Sequence, residues 1–170
     1  MRPDAASSAR HAPGAPSSDA SGLHVAIVAS SYHADVTGAL RDGAVSALKA
    51  RGGSGHIVES APGAFELPMV AQALASRGDV DAVVALGCVL TGETSHDRYI
   101  SDAVAHGLMQ VALRAGIPVA FGVLTCVTIE QARARAGGAK GNKGGEAMNA
   151  AIDAALAMRR HAAAGRRAQP

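Results

Sequence analysis

Three features of this 170-residue chain predict an α/β fold in which helices cover both sides of a parallel sheet. Short β-branched runs alternate with longer Ala-rich stretches of helical period from Leu23 onward. One run, VDAVVALGCVL at 80–90, is apolar on both faces, as a strand in the middle of a doubly covered sheet must be. The length suffices for one domain with a full core and falls short of two. Hydrophobic residues at 48% and charged residues at 18% exclude a disordered chain. No run approaches the roughly 18 apolar residues that span a bilayer, so no membrane partner is expected.

The first strand is LHVAIVAS (23–30), and residues 35–50 then set Val36, Leu40, Ala44, Ala47 and Leu48 at helical spacing before Arg-Gly-Gly ends the helix. GHIVES (55–60) is the second strand. The loop APGAFE leads to a helix from Leu67 to about Arg77, closed by Gly78. The third strand, 80–90, runs through TGETSHD into a helix ending near Ala115, and Gly-Ile-Pro separates that helix from the fourth strand, VAFGVLTC (119–126). Two helices finish the chain, from Ile129 to about Ala136 and from Gly145 to about Arg160. Between them GGAKGNKG reads as a flexible turn. Four strands with helical crossovers give a flavodoxin-like three-layer sandwich with a central four-stranded parallel sheet, in which ligands bind beyond the carboxyl ends of the strands.

Residues 1–22, rich in Ala, Ser, Pro and Gly, lack the continuous apolar core of a secretory signal and read as a disordered leader. The domain is expected over 23–160 and a basic flexible tail over 161–170. The net charge of +2 hides an uneven distribution, because Arg2, Arg10, Arg159, Arg160, Arg166 and Arg167 lie toward the ends and leave a mildly acidic body. A basic tail can touch an anionic surface, but a solvated tail is the simpler reading, and no nucleic-acid partner is expected. Cys88 and Cys126 have neither metal spacing nor a disulfide framework. They read as core thiols in a reduced, cytoplasmic setting. The aromatic residues are only Tyr32, Phe65, Tyr99 and Phe121, so the core must come from Ala, Val, Leu, Ile and Met.

Three loops carry chemistry. Gly92-Glu93-Thr94-Ser95-His96 enters a helix directly, so its N–H groups and the helix dipole suit an anion such as phosphate. His96, in the first turn, is a candidate general acid or base; from the loop alone it serves equally well as a surface residue behind a Thr94 or Ser95 cap. The loop 61–68 sets Phe65 beside Glu66 between two prolines, which suits a planar ligand, but taken alone it reads first as a plain strand-to-helix connection with Phe65 filling a gap. Arg135 and Lys143 flank the glycine-rich loop, where cations and backbone can approach a phosphate or a neighbouring subunit. That loop does not follow a strand and lacks the nucleotide phosphate-loop pattern.

Together these segments resemble the lumazine synthase family from Leu23 to about Met158. The stretches that carry the resemblance are SSYHADVTGALRDGA, APGAFELP, ALGCVLTGETSHDRY, IPVAFGVLTCVTIEQA and RAGGAKGNKGGEA. The resemblance implies a transferase that condenses 5-amino-6-(D-ribitylamino)uracil with 3,4-dihydroxy-2-butanone 4-phosphate. The products are 6,7-dimethyl-8-ribityllumazine, phosphate and water, in the penultimate step of riboflavin biosynthesis, without metal or organic cofactor. Residue by residue, it puts Tyr32 against the pyrimidine ring and Ala64, Phe65 and Glu66 along the ribityl chain and ring. The backbone of Cys88, Val89 and Leu90 falls at the uracil edge, Glu93 and Thr94 on the phosphate turn, and Arg135 on the phosphate itself. His96 takes the proton-transfer position.

Phe121, Arg135 and Lys143 are implied to approach from an adjacent subunit, so the resemblance implies a homopentamer. Some family members pack pentamers into hollow 60-subunit shells, and the uninterrupted loop between Arg135 and Lys143 resembles theirs. The wording departs from the family's at Tyr32-His33, Thr91 and Asp97-Arg98. The last departure removes the carboxylate that usually follows two residues after the histidine.

Overall fold

A computed structural model describes residues 19–167. Its elements in chain order are β1 (His24–Ser30), α1 (Ala34–Ala50), β2 (Gly55–Ala61), α2 (Leu67–Ala75), β3 (Ala82–Leu90), α3 (His96–Ala115), β4 (Val119–Cys126), α4 (Ile129–Arg135), β5 (Ala136–Gly138), β6 (Gly141–Asn142) and α5 (Lys143–Arg167). The main sheet has four strands in the order β2-β1-β3-β4, all parallel, as the pattern of apolar runs predicts. β3 is buried from Ala82 to Val89, which is why its sequence shows no alternation.

Each face of the sheet carries its own apolar cluster. Val25, Ile27 and Leu86 meet Leu40 and Leu48 of α1 and Met148 and Ile152 of α5. On the other face Ala26, Val28, Val83 and Ala85 meet Leu67 and Ala71 of α2 and Val104 and Leu108 of α3. Small side chains let the layers approach closely. A Cβ at Gly144 would overlap the backbone of Leu40, and one at Gly43 would overlap the side chain of Asn142, so α1 and α5 touch backbone to backbone here.

Asn142 organises this crossing. Its Oδ1 accepts from Gly144 N at 2.9 Å and Gly145 N at 3.1 Å, which caps α5, while its Nδ2 donates to Ala39 O at 2.8 Å and ties the cap to α1. Replacing Asn142 by Ala removes three hydrogen bonds and leaves the Ala39 carbonyl half-served. The expected loss is about 2 kcal/mol of unfolding free energy, read from the denaturation midpoint. Unchanged stability would show that water replaces the cap without cost.

The structure revises several boundaries. GGAKGNKG is not a flexible turn: β5 and β6 pair antiparallel, with Gly137 and Gly141 at φ 114° and 77°, values that only glycine adopts readily. α5 starts at Lys143 because Asn142 caps it, and it continues to Arg167, so residues 161–167 are helical and not a flexible tail. The Ala-rich sequence there favours helix. At the other end the body begins before Leu23. Ala20 is fully buried and donates its N–H to Arg51 O at 2.7 Å, and Gly22 O accepts from Arg159 at 3.1 Å. Residues 1–18 of the expected leader and 168–170 of the expected tail lie outside the described residues.

Candidate active site

β1 and β3 end at different heights. β1 accompanies β3 only from Val25↔Ala82 to Ala29↔Leu86, whereas β4 follows it to Leu90↔Cys126. From Gly87 to Leu90, therefore, β3 has a strand partner on one side only. Its other edge faces a cavity of about 540 Å3, lined by Cys88, Val89 and Leu90. Cys88 and Val89 are buried, and buried backbone donors and acceptors require partners. A planar ligand with donors and acceptors along one edge fits that requirement.

The loop after β1 makes one wall. Ser31 N donates to Ala61 O at 2.8 Å and Ser30 Oγ to Tyr32 O at 3.4 Å, which fixes the turn and leaves the Tyr32 ring 70% exposed over the cavity. His33, at φ 54° and ψ 53°, is in the left-handed region and precedes α1. That conformation costs a side-chain-bearing residue roughly 1 kcal/mol. It is held because Val36 N and Thr37 N both donate to His33 O, at 2.9 and 3.0 Å. The His33 ring meets that of Tyr32 edge-on, with centroids 6.2 Å apart.

The loop after β2 makes the second wall. Ala64, Phe65 and Glu66 line the cavity with Gly63. A Cβ at Gly63 would lie 3.0 Å from Glu66 Oε2 and 4.0 Å from Tyr32 Cδ2, so the absent side chain lets the carboxylate and the ring share one corner. Glu66 is the residue before α2, and Pro68 in the first turn favours helix entry there.

The third wall is the start of α3. His96 lines the cavity from its first turn, joined by Tyr99 and Ile100. Glu93 and Thr94 are exposed in the turn before the helix and do not line the cavity; they border its α3 side in sequence. Among the described residues no side-chain hydrogen bond joins Asp97 to His96.

Phe121, Arg135 and Lys143 are not brought to this cavity. They line a second hollow of about 420 Å3 along β4, with Thr125, Cys126 and Glu146. α4 is capped by Thr128, whose side chain accepts from Gln131 N at 3.4 Å while Gln131 Oε1 accepts from Val127 N at 3.1 Å, an exchange of the capping-box kind. Arg135 ends the helix, and its Nη1 donates to Gln131 O at 3.1 Å. Lys143 Nζ is paired with Glu146 at 2.7 Å. Arg133 reaches from α4 to Asp35 of α1 at 2.9 Å and holds that carboxyl below its ordinary value.

Burial pushes the Cys88 thiol up to about 11 and raises that of Cys126, although Arg135 acts on Cys126 in the opposite sense. Both are protonated at neutral pH and serve as small packing groups, not nucleophiles. Among the described residues no group of three or more His, Cys, Asp or Glu is placed to hold a metal, and no helix is long and apolar enough to cross a membrane.

Of the predicted site residues, then, the structure gathers Tyr32, Ala64, Phe65, Glu66, Cys88, Val89, Leu90 and His96 in one cavity and sets Phe121, Arg135 and Lys143 in another. Sequence reasoning gave no role to Tyr99, Ile100 or Glu146. The signal was there in helical spacing: Tyr99 follows His96 by three residues, and Glu146 follows Lys143 by three.

A four-stranded parallel sandwich whose central strand overhangs its neighbour, with ring-bearing loops around the overhang, defines a flavodoxin-like α/β protein with an open cavity at the carboxyl ends of its strands. The chain belongs to the 6,7-dimethyl-8-ribityllumazine synthase family, whose sequence model matches residues 22–159. It is 50% identical over 143 residues to the 6,7-dimethyl-8-ribityllumazine synthase of Kocuria rhizophila, covering 82% of this chain and 90% of that one. Proteins of the same name from Thermus thermophilus and Streptomyces coelicolor are each 48% identical. The former matches over 136 residues (79% of this chain, 87% of the relative) and the latter over 139 (81% and 86%).

Proposed function

We infer that the chain is a 6,7-dimethyl-8-ribityllumazine synthase, a transferase of riboflavin biosynthesis. It condenses 5-amino-6-(D-ribitylamino)uracil with 3,4-dihydroxy-2-butanone 4-phosphate and releases phosphate and water. The observation that carries this reading is the unpaired edge of β3 at Gly87–Leu90, opening on a cavity that also holds Tyr32, Glu66 and His96. A uracil ring offers alternating donors and acceptors along one edge and a flat face, which suit the strand edge and the Tyr32 ring. Phe65 and Glu66 stand where the ribityl chain leaves the ring.

Attack of the pyrimidine amine on the ketone carbonyl expels water and gives an imine. Loss of phosphate then requires a proton to leave carbon while negative charge builds on the departing group. His96 is the group that moves this proton, and the turn Gly92–Thr94 at the start of α3 receives the anion. Arg135 adds a cation to the phosphate. Holding two already reactive partners in register supplies much of the remaining acceleration.

We further propose a homopentamer in which Phe121, Arg135 and Lys143 of one copy complete the cavity of the next. Two observations support it. The cation and the candidate proton-transfer residue line different hollows of one chain. Met69 of α2 and Met109 and Leu113 of α3 are 73%, 61% and 76% exposed, an apolar surface that another copy would cover. The proposed place of action is the cytoplasm, where two unpaired thiols stay reduced.

The test is direct. Purified protein given both substrates is expected to form the lumazine chromophore faster than the uncatalysed mixture, and only when the ketone carries its phosphate. No acceleration by a folded oligomer that still binds the pyrimidine would leave a binder and overturn the enzyme reading.

A further inference from the structure

The protein has only two tyrosines and two phenylalanines, and no tryptophan. None of these rings belongs to either apolar cluster; Tyr32, Phe65, Tyr99 and Phe121 are 70%, 57%, 73% and 45% exposed. A core built without aromatic side chains has no use for them, so their placement reports on what the surface binds. Tyr32, Phe65 and Tyr99 line the cavity beside His96, and Phe121 lines the hollow along β4. The proposed reaction gives a place to each of them except Tyr99.

We propose that Tyr99 is a substrate-binding residue whose ring forms the wall of the pyrimidine slot opposite Tyr32. The inference rests on the reading of the cavity as the uracil site. Tyr32 lies on the connection into α1, which covers one face of the sheet, whereas Tyr99 belongs to α3, which covers the other. Both line a cavity whose floor is the β3 edge at Cys88–Leu90, lying between those two layers. A flat ring bonded to that edge therefore has one aromatic wall from each layer.

Helix geometry agrees. Tyr99 follows His96 by three residues and shares its face of α3, and side chains on a helix lean toward its N-terminus, which carries the ring back over the turn that holds His96. Nothing else in the described protein occupies the Tyr99 side chain: it has no hydrogen bond and no ring partner among the described residues.

Tyr99→Phe, Tyr99→Leu and Tyr99→Ala in the full chain test the proposal by steady-state kinetics with each substrate varied. Equilibrium titration with the pyrimidine, and oligomer mass by light scattering, accompany the kinetics. The expected result is a wild-type KM for Tyr99→Phe. For Tyr99→Leu and Tyr99→Ala the KM and the dissociation constant of the pyrimidine rise about tenfold, at unchanged oligomer mass and with the KM of the phosphorylated ketone unmoved. Wild-type pyrimidine affinity in Tyr99→Leu would reduce Tyr99 to a filler and overturn the proposal. So would an affinity loss that tracks a lower oligomer mass, which would make Tyr99 a contact between copies. Absence of turnover in the wild type removes the functional reading instead, and the titration still decides whether Tyr99 holds the pyrimidine.

Discussion

Replacing His96 by Ala lowers kcat by about a hundredfold or more, the usual worth of a positioned general acid or base, while the oligomer and its melting temperature stay as they were. The two halves of that expectation have separate causes. His96 is exposed and lines the cavity from the first turn of α3, with no side-chain hydrogen-bond partner among the described residues, so its removal leaves no cavity in the core and no orphaned group. The proposed chemistry, by contrast, loses the imidazole to which the proton transfer is assigned. Asp97 does not replace it: a carboxylate next along the helix points to another face. Steady-state kinetics with both substrates saturating makes the measurement, and an unchanged kcat would remove His96 from proton transfer.

Arg135→Ala raises the KM for the phosphorylated ketone by about tenfold to a hundredfold and leaves the KM for the pyrimidine where it was. Among the described residues Arg135 donates only to the Gln131 carbonyl, and it lines a different hollow from His96, so the fold spends little on it. The separation allows a stricter check. If the cation enters the neighbouring copy's cavity, oligomers refolded from a mixture of His96→Ala and Arg135→Ala chains turn over faster at low ketone concentration than either variant alone, because some cavities then hold both intact residues. Failure of the mixture to recover would place Arg135 and His96 in the same cavity of one chain or dismiss Arg135 altogether.

Much of the fold was legible because its pattern is local. The double-sided apolar run ending in Leu90 marks a central strand without reference to anything else, and the glycines at 52, 78 and 116 end three helices or the turns after them at φ 80°, 78° and 67°. The glycine-rich loop misled for a reason that local pattern does not contain. Its glycines suggest looseness, but Gly144 is there because the Leu40 backbone leaves no space, and Gly137 and Gly141 because a hairpin needs their φ. Likewise the end of α5 was placed at paired arginines that, in the structure, lie on a continuing helix; Arg159 binds Asp81 at 2.7 Å rather than opening a tail.

For the site, the wording of five stretches was enough to carry the resemblance to the family and so to name the loops, whereas each loop taken singly left a plainer reading open. What the sequence could not contain is distance. The unpaired edge at Gly87–Leu90 exists because β1 stops pairing at Ala29 while β4 continues to Cys126, a relation between three strands far apart in the chain. The same holds for the division of the predicted site into two hollows, one at the end of β3 and one along β4. Residue identity is set by local chemical need and can be read along the chain, whereas the register of a parallel sheet, and with it which loops meet, is decided only when non-adjacent strands and their helical layers pack together.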